Sequence, residues 1–504
     1  MTSTSYVDDL LDALARQPDR VALITQEGRH VPAVDVRDGV HRVAAELAAL
    51  GIGREDTVTL LTGNGPDALV ARYAANLLGA RVVFLGHGLA AAAQAEIVDS
   101  VGTAILLVDP ALRASAEALL RKTDVPLVRT LAELVAQAAA RTRRPVAGGA
   151  RPEDDWCVRH TGGTTGTPKG IRMAHGPYRG VLARSVAGLA AGERPRFLAC
   201  TSLAHMAGII ADIALLAGGT VVLRDTFEPG DALATIEREH ITDLWLLPPL
   251  LYELLDHPRL SRTDVTTVRR IVYGGTPVAA GRLVQAQEAF GPVLHGSYGQ
   301  TEAGCITELL PDEHRGGEVT VGRAAPGVVI EIRDPAGTVL AAGATGEIHV
   351  RTPLMMSGYW QQPELTAEVI VDGWIRTGDV GYLDAEGYLH LVDRLKEMVI
   401  VVGGHVYPAE LEQLLLTHPD IAQCAAFGVR DPQGIEQVHV AVVPAAAPGP
   451  ERSTRHIEDT VREFVTSGKG ALYAPSAVHV VDRVPLTDVG KPDKKRLRAS
   501  LGVS

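Results

Sequence analysis

The chain has 504 residues, of which 46% are hydrophobic, 21% charged and 4% aromatic, and its formal net charge is −12. So long a chain exceeds what one hydrophobic core holds, and it predicts two or more domains with aliphatic cores. The acidic balance excludes a nucleic-acid surface, which needs a net basic face, so any phosphate ligand has to be met by local cations and backbone N–H groups.

The first element expected is an amphipathic helix over residues 5–16, acidic in its early turns as the helix dipole prefers. A second helix over 35–50 stops at Gly51. T-V-T-L-L (57–61), a helical run ending at Gly79 and R-V-V-F-L (81–85) then give strand, helix, strand. That spacing predicts a βαβ unit with a parallel sheet, continued by A-I-L-L-V at 104–108. Residues 139–155 are rich in Arg, Pro, Gly and Asp and read as a surface linker.

Directly after it comes H-T-G-G-T-T-G-T-P-K-G-I (160–171), with four glycines, four threonines and one lysine. Gly162, Gly163 and Gly166 let the backbone turn its N–H groups towards an anion. Thr161, Thr164, Thr165 and Thr167 add hydroxyl donors and Lys169 a mobile positive charge. This is the chemistry of a polyphosphate cradle, but neither a Walker A loop nor a dinucleotide G-x-G-x-x-G. A flexible linker has similar composition; Lys169-Gly170 running into apolar Ile171 argues against it.

A second α/β series follows, with strands expected at 196–200, 220–223, 243–247 and 270–273. From about residue 315 short strands and turns suggest a small β-barrel or distorted sheet. After Asp393 strands and helices restart on a smaller scale. The expected fold class is therefore α/β. A large N-terminal domain (1–392) holds two doubly wound subdomains and a small β-barrel, and a small mobile α+β domain (393–504) follows. The four cysteines, Cys157, Cys200, Cys305 and Cys424, are far apart and indicate neither a disulfide framework nor a zinc site. No signal peptide and no membrane-spanning run is recognised, so a cytoplasmic protein is expected.

Six separated motifs, in order, make the chain resemble the adenylate-forming superfamily of acyl-CoA synthetases, luciferases and peptide-synthetase adenylation domains. The resemblance covers essentially the whole chain. It implies an enzyme that joins a carboxylic acid to ATP, giving an acyl-adenylate and pyrophosphate, and then passes the acyl group to a thiol, with coenzyme A the leading expectation. On the first motif, it implies that Thr161, Thr164, Thr165 and Lys169 hold the β- and γ-phosphates. Y-G-G-T-P (273–277), with Gly275, Thr276 and Pro277, lines the adenine. In G-S-Y-G-Q-T-E (296–302) Tyr298 stacks on the base. Thr301 there donates to the α-phosphate, and Glu302 holds Mg²⁺, a hard ion that prefers oxygen ligands. In W-I-R-T-G-D (374–379) Asp379 accepts from the ribose hydroxyls. In D-R-L-K-E-M (393–398) Asp393 is the hinge and Arg394 a second ribose contact. In P-L-T-D-V-G-K (485–491) Lys491 bridges the carboxylate and the α-phosphate during adenylation. The C-terminal domain then rotates to serve the second half-reaction.

Residues 402–408, V-G-G-H-V-Y-P, depart from the family's G-G-x-N-V-Y-P. By resemblance Gly403, Gly404 and His405 line the thiol tunnel, and the departure affects its geometry. Gly162, where serine is common, is a milder departure. His205 in S-L-A-H-M-A-G-I (202–209) matches a gate of the acyl pocket. Met206 replaces the aspartate that amino-acid-activating relatives use, which points to an apolar acid. The small residues Ala207, Gly208, Gly274, Gly275, Ala303 and Gly304 suggest a roomy pocket. Alternatives are an acyl-AMP ligase loading an acyl-carrier protein, an enzyme taking a ready-made adenylate from a partner enzyme, and a nucleotide-binding module without turnover. The intact Lys491, Glu302 and Asp379 count against the last.

Overall fold

The computed structural model describes residues 5–86, 88–141, 145–161, 169–276, 278–314, 320–394, 399–401, 404–430, 436–445, 453–486 and 492–503. Ser5 starts the first helix by a reciprocal cap: its Oγ accepts from the Asp8 N–H at 3.3 Å, and the Asp8 carboxylate accepts from the Ser5 N–H at 3.1 Å. The helix, Tyr6–Arg16, buries Tyr6, Val7, Leu10, Leu11 and Leu14 on one face.

The β-branched run at 57–61 forms the strand Thr57–Leu61, buried at every position. It lies inside a seven-stranded sheet whose order is Gly358–Tyr359, Lys169–Ala174, Asp155–Thr161, Arg81–Phe84, Thr57–Leu61, Thr103–Val108 and Leu127–Thr130. The five strands from Asp155–Thr161 onward run parallel, and the other two pair antiparallel at one edge. The second series forms a nine-stranded sheet in the order Arg323–Ala324, Gly304–Leu309, Leu294–Gln300, Arg270–Gly274, Asp243–Leu246, Arg196–Ala199, Thr220–Leu223, Val21–Ile24 and His30–Pro32. Its last two strands come from the N-terminus, where the sequence reading assigned none. Leu23 pairs with Val221 and Ile24 with Val222, in parallel.

Helices cover both faces of each sheet. The largest core lies between the sheets and draws on both, from Val58, Leu107 and Trp156 to Leu23, Phe197 and Val221. Inside it the Asp212 carboxylate, fully buried, accepts from the Tyr73 and Tyr178 hydroxyls at 2.6 Å each and pairs with Arg72. These residues stand on three helices, Pro66–Leu77, His175–Ala187 and Met206–Leu216. A charge here needs every lone pair met, so the cluster fixes how the two halves meet.

The short strands after residue 320 form a five-stranded antiparallel sheet around Ile332, Ile348, Val350, Ile375 and Leu389. Among the described residues its hydrogen-bonded path stays open, which matches the distorted sheet rather than the barrel among the two forms expected. Beyond it come the hairpin Val399–Val401 with Gly404–Val406, and a three-stranded sheet of Ile421–Arg430, Glu436–Pro444 and Ala477–Val480. Pro408–Leu415 and Thr454–Lys469 pack on one face of that sheet and Lys494–Leu501 on the other. The molecule is thus mixed α/β, with a large N-terminal part and a small C-terminal one. No helix among the described residues is long and apolar enough to cross a membrane.

Candidate active site

Four neighbouring parallel strands of the larger sheet, Arg196–Ala199, Asp243–Leu246, Arg270–Gly274 and Leu294–Gln300, end on the same side. Open α/β sheets bind ligands outside the carboxyl ends of their strands. The segments leaving these ends carry His205, Leu247, Gly275 with Thr276, and the turn with Thr301 and Glu302. The sequence-predicted residues His205, Gly275, Thr276, Thr301 and Glu302 therefore follow three of these four strand ends.

Gly274 is forced by packing, since a Cβ there would run into the Ser297 carbonyl oxygen. Gly275 has φ +85°, and the nearest atom to a Cβ would be Leu247 Cδ2 at 3.8 Å. Thr276 Oγ1 is buried and, among the described residues, has no hydrogen-bond partner. A buried hydroxyl left unsatisfied is costly, and here it lies in the turn expected to meet a base. That orphan fits a polar ligand in the site.

Tyr298 lies on Leu294–Gln300, one residue beyond the Ser297–Gly274 pair. Its hydroxyl donates to Asp379 Oδ2 at 2.6 Å. Asp379 is 5% exposed, donates its own N–H to the Thr377 hydroxyl oxygen at 3.0 Å, and stands opposite Arg394 in the strand register. Asp393 pairs with Val380 in the same ladder. The expected base-stacking ring and ribose carboxylate are thus in direct contact.

Asp155–Thr161 runs into the Thr/Gly loop and Lys169–Ala174 leaves it; Thr161 pairs with Lys169 across the ladder. The Lys169 ammonium stands 5.5 Å from the centre of the Tyr359 ring, and the Tyr359 hydroxyl donates to Glu302 Oε1 at 3.0 Å. Burial and the neighbouring Glu302 charge push the Tyr359 phenol above its ordinary pKa, so it remains a donor. Among the described residues no group of three or more His, Cys, Asp or Glu side chains forms a metal cage. A single carboxylate fits Mg²⁺, which is held by one or two carboxylates plus substrate phosphates and water. Burial pushes the pKa of Cys305, beside this turn, up to about 12, which disfavours its thiolate.

His205 precedes the helix Met206–Leu216, and its carbonyl accepts from the Gly208 N–H at 3.0 Å. Thr301 stands in the turn between Leu294–Gln300 and Gly304–Leu309. His405 pairs with Ile400, and Gly404 with Val401, in the C-terminal hairpin. Thr164, Thr165, Pro277, Gly403 and Lys491 lie outside the described residues.

A family model described as AMP-binding enzyme matches residues 10–360, and one for the AMP-binding enzyme C-terminal domain matches residues 410–491. The chain belongs to the AMP-binding enzyme family. Medium/long-chain-fatty-acid–CoA ligase FadD8 of Mycobacterium tuberculosis is 33% identical, over 97% of this chain and 89% of its own. Feruloyl-CoA synthase of an Amycolatopsis species is 32% identical over 97% of both chains. Among solved structures, the amide bond synthetase McbA from Marinactinospora thermotolerans matches with TM-score 0.89 and 36% identity over 98% of this chain and 99% of that one.

Within this AMP-binding enzyme two of the small residues, Gly208 and Gly274, are small because a backbone carbonyl lies where a Cβ would go. A Cβ at Gly208 would run into the Leu203 carbonyl, and one at Gly304 would press on the Leu354 side chain at 3.0 Å. Ala207 and Ala303 are fully buried in cores. Only Gly275 of the set has room beside it. Sequence reasoning also missed Tyr359, which no motif spacing marks.

Proposed function

We propose that this AMP-binding enzyme activates an apolar carboxylic acid with ATP to an acyl-adenylate and transfers the acyl group to coenzyme A, releasing AMP. The observation that carries this reading is that Tyr298 contacts Asp379 and Lys169–Tyr359 reaches Glu302, beside a turn whose Thr276 Oγ1 has no partner among the described residues. Curated relatives with CoA ligase names support the acceptor.

In this reading Asp379 and Arg394 hold the ribose, Tyr298 and the 273–277 turn hold the base, and Thr161, Thr164, Thr165 and Lys169 hold the β- and γ-phosphates. Thr301 donates to the α-phosphate. Glu302 holds Mg²⁺, which neutralises phosphate charge when bound. Lys491 places an ammonium between the attacking carboxylate and the α-phosphate, where negative charge builds in the transition state. Asp393 is the hinge between 1–392 and 393–504. The second arrangement brings Gly403, Gly404 and His405 to the thiol, while His205 and Met206 border the acid.

Acid-dependent ATP–pyrophosphate exchange across a panel of fatty and aryl acids, run beside mass-spectrometric detection of acyl-CoA, tests both halves. Lys491→Ala is expected to cut exchange by a factor of about 10² to 10³ and to leave acyl-CoA formation from synthetic acyl-adenylate largely intact. Equal loss of both halves would remove Lys491 from its role.

A second reading has an amine as acceptor. It is favoured by the 36% identity to an amide bond synthetase over nearly the whole chain, together with the departure at Val402 and His405. A carrier-protein thiol is a third acceptor, since an acyl-carrier-protein ligase, ScoC of Streptomyces coeruleorubidus, is 30% identical. Synthetic acyl-adenylate offered CoA, a primary amine and a carrier protein in competition separates them by product.

A further inference from the structure

Residues 356–360 cross from one sheet to the other. At one end the Met356 N–H donates to the Glu302 carbonyl at 2.8 Å. At the other, Ser357 N–H donates to Arg172 O at 2.9 Å and Trp360 N–H to Gly170 O at 2.7 Å, so the segment is laced to the strand that leaves the Thr/Gly loop. Gly358 has φ +135°, and a Cβ there would meet Thr366 Cγ2 at 2.8 Å. The neighbouring Tyr359 N–H donates to Thr366 Oγ1 at 2.9 Å. Beyond it the Trp360 indole N–H donates to Ser100 O at 2.8 Å.

Tyr359 is thereby fixed by backbone on both sides and is only 7% exposed. From that anchor its hydroxyl takes Oε1 of Glu302 and its ring faces Lys169. Glu302 Oε2 has no hydrogen-bond partner among the described residues. A carboxylate with one oxygen pinned presents the other in a defined direction. An ammonium within about 6 Å of a ring centre is drawn to its face.

We propose that Tyr359 is a positioning residue for the nucleotide. Its phenol holds Oε1 of Glu302 so that Oε2 is presented to the divalent cation of bound nucleotide, and its ring seats the Lys169 ammonium at the exit of the phosphate loop. This rests on the reading of Glu302 as that cation's carboxylate. One side chain then sets the spacing between a protein cation and a protein anion that stand on different sheets.

The test uses the full-length enzyme, Mn²⁺ as the cation, α,β-methylene-ATP as an unreactive nucleotide, and electron paramagnetic resonance to count free Mn²⁺. Tyr359→Phe keeps the ring and removes the hydroxyl. It is expected to weaken Mn²⁺ binding to the enzyme–nucleotide complex about tenfold and to leave nucleotide binding in EDTA unchanged. Its Mg²⁺ requirement in exchange should rise by a similar factor, with little change at saturating Mg²⁺. Tyr359→Leu is expected to add a loss of about threefold in nucleotide affinity in EDTA. Thermal melting of both variants reports whether they are folded.

If Tyr359→Phe binds Mn²⁺ as tightly as the parent while Glu302→Gln does not, the role of the phenol is overturned and the Glu302 reading stands. If Glu302→Gln also binds normally, the cation reading falls and this inference with it. An unchanged EDTA affinity in Tyr359→Leu overturns the seat for Lys169.

Discussion

Asp379 keeps a carboxylate buried by receiving the Tyr298 hydroxyl at 2.6 Å. Asp379→Asn keeps the shape but removes the charge that two ribose hydroxyls would meet. Nucleotide affinity should fall about tenfold, measured by calorimetry, with Tyr298→Phe falling less. His175 is a buried group outside the site, fully enclosed, stacked 5.8 Å from the Tyr6 ring and without a partner on either ring nitrogen among the described residues. Burial lowers its pKa from 6.5 to about 4. The unfolded chain therefore binds the extra proton first as pH falls, and the stability present above about pH 6.5 is lost progressively towards pH 4. Between pH 7 and pH 5 this single group costs about 2 kcal/mol. His175→Phe should remove that much of the acid sensitivity in urea unfolding. Tyr298, Thr276 and Asp379 were legible because each lies inside a short run of residues with its own chemistry. Tyr359 was not, because it reaches Glu302 across 57 positions and nothing along the chain records that distance.

At the scale of elements, the end of Arg270–Gly274 is closed by contact and the turn after it is open. Gly274→Ala would drive a methyl into the Ser297 carbonyl beside Tyr298. A loss of about 1–3 kcal/mol is expected, read from the thermal midpoint. Gly275→Ala meets open space but takes a positive φ, so about 1–2 kcal/mol is expected from backbone strain. Most apolar strands were legible, because a fully buried parallel strand reads as a continuous hydrophobic run, but V-A-L-I at 21–24 was passed over. The two-residue strand Gly358–Tyr359 has no such run and is made by its partner. The small residues misled for a related reason: composition shows where side chains are missing, and only the fold shows whether backbone or ligand fills the gap.

For the whole molecule, the hydrophobic clusters divide unevenly. Those of the C-terminal part draw only on residues from Val399 onward. A fragment of residues 399–504 should therefore fold and melt cooperatively by circular dichroism; a fragment without a transition would argue against a domain there. The first 150 residues are the opposite case. Val21–Ile24 is completed by the other sheet, and the Asp212 cluster spans both halves. A fragment of residues 1–145 should remain protease-sensitive until residues 146–392 are supplied. Fold class was visible in the order of the motifs. The crossing of the first strand was not, since V-A-L-I names no partner.

That crossing also sets a clock. Val21 and Thr220 are 199 positions apart, and during synthesis at about 5–20 residues per second the early strand emerges roughly 10–40 s before the strand it must join. Throughout that interval the edge of Val21–Ile24 that joins Thr220–Leu223 lacks its native neighbour, while His30–Pro32 can already cover the other edge.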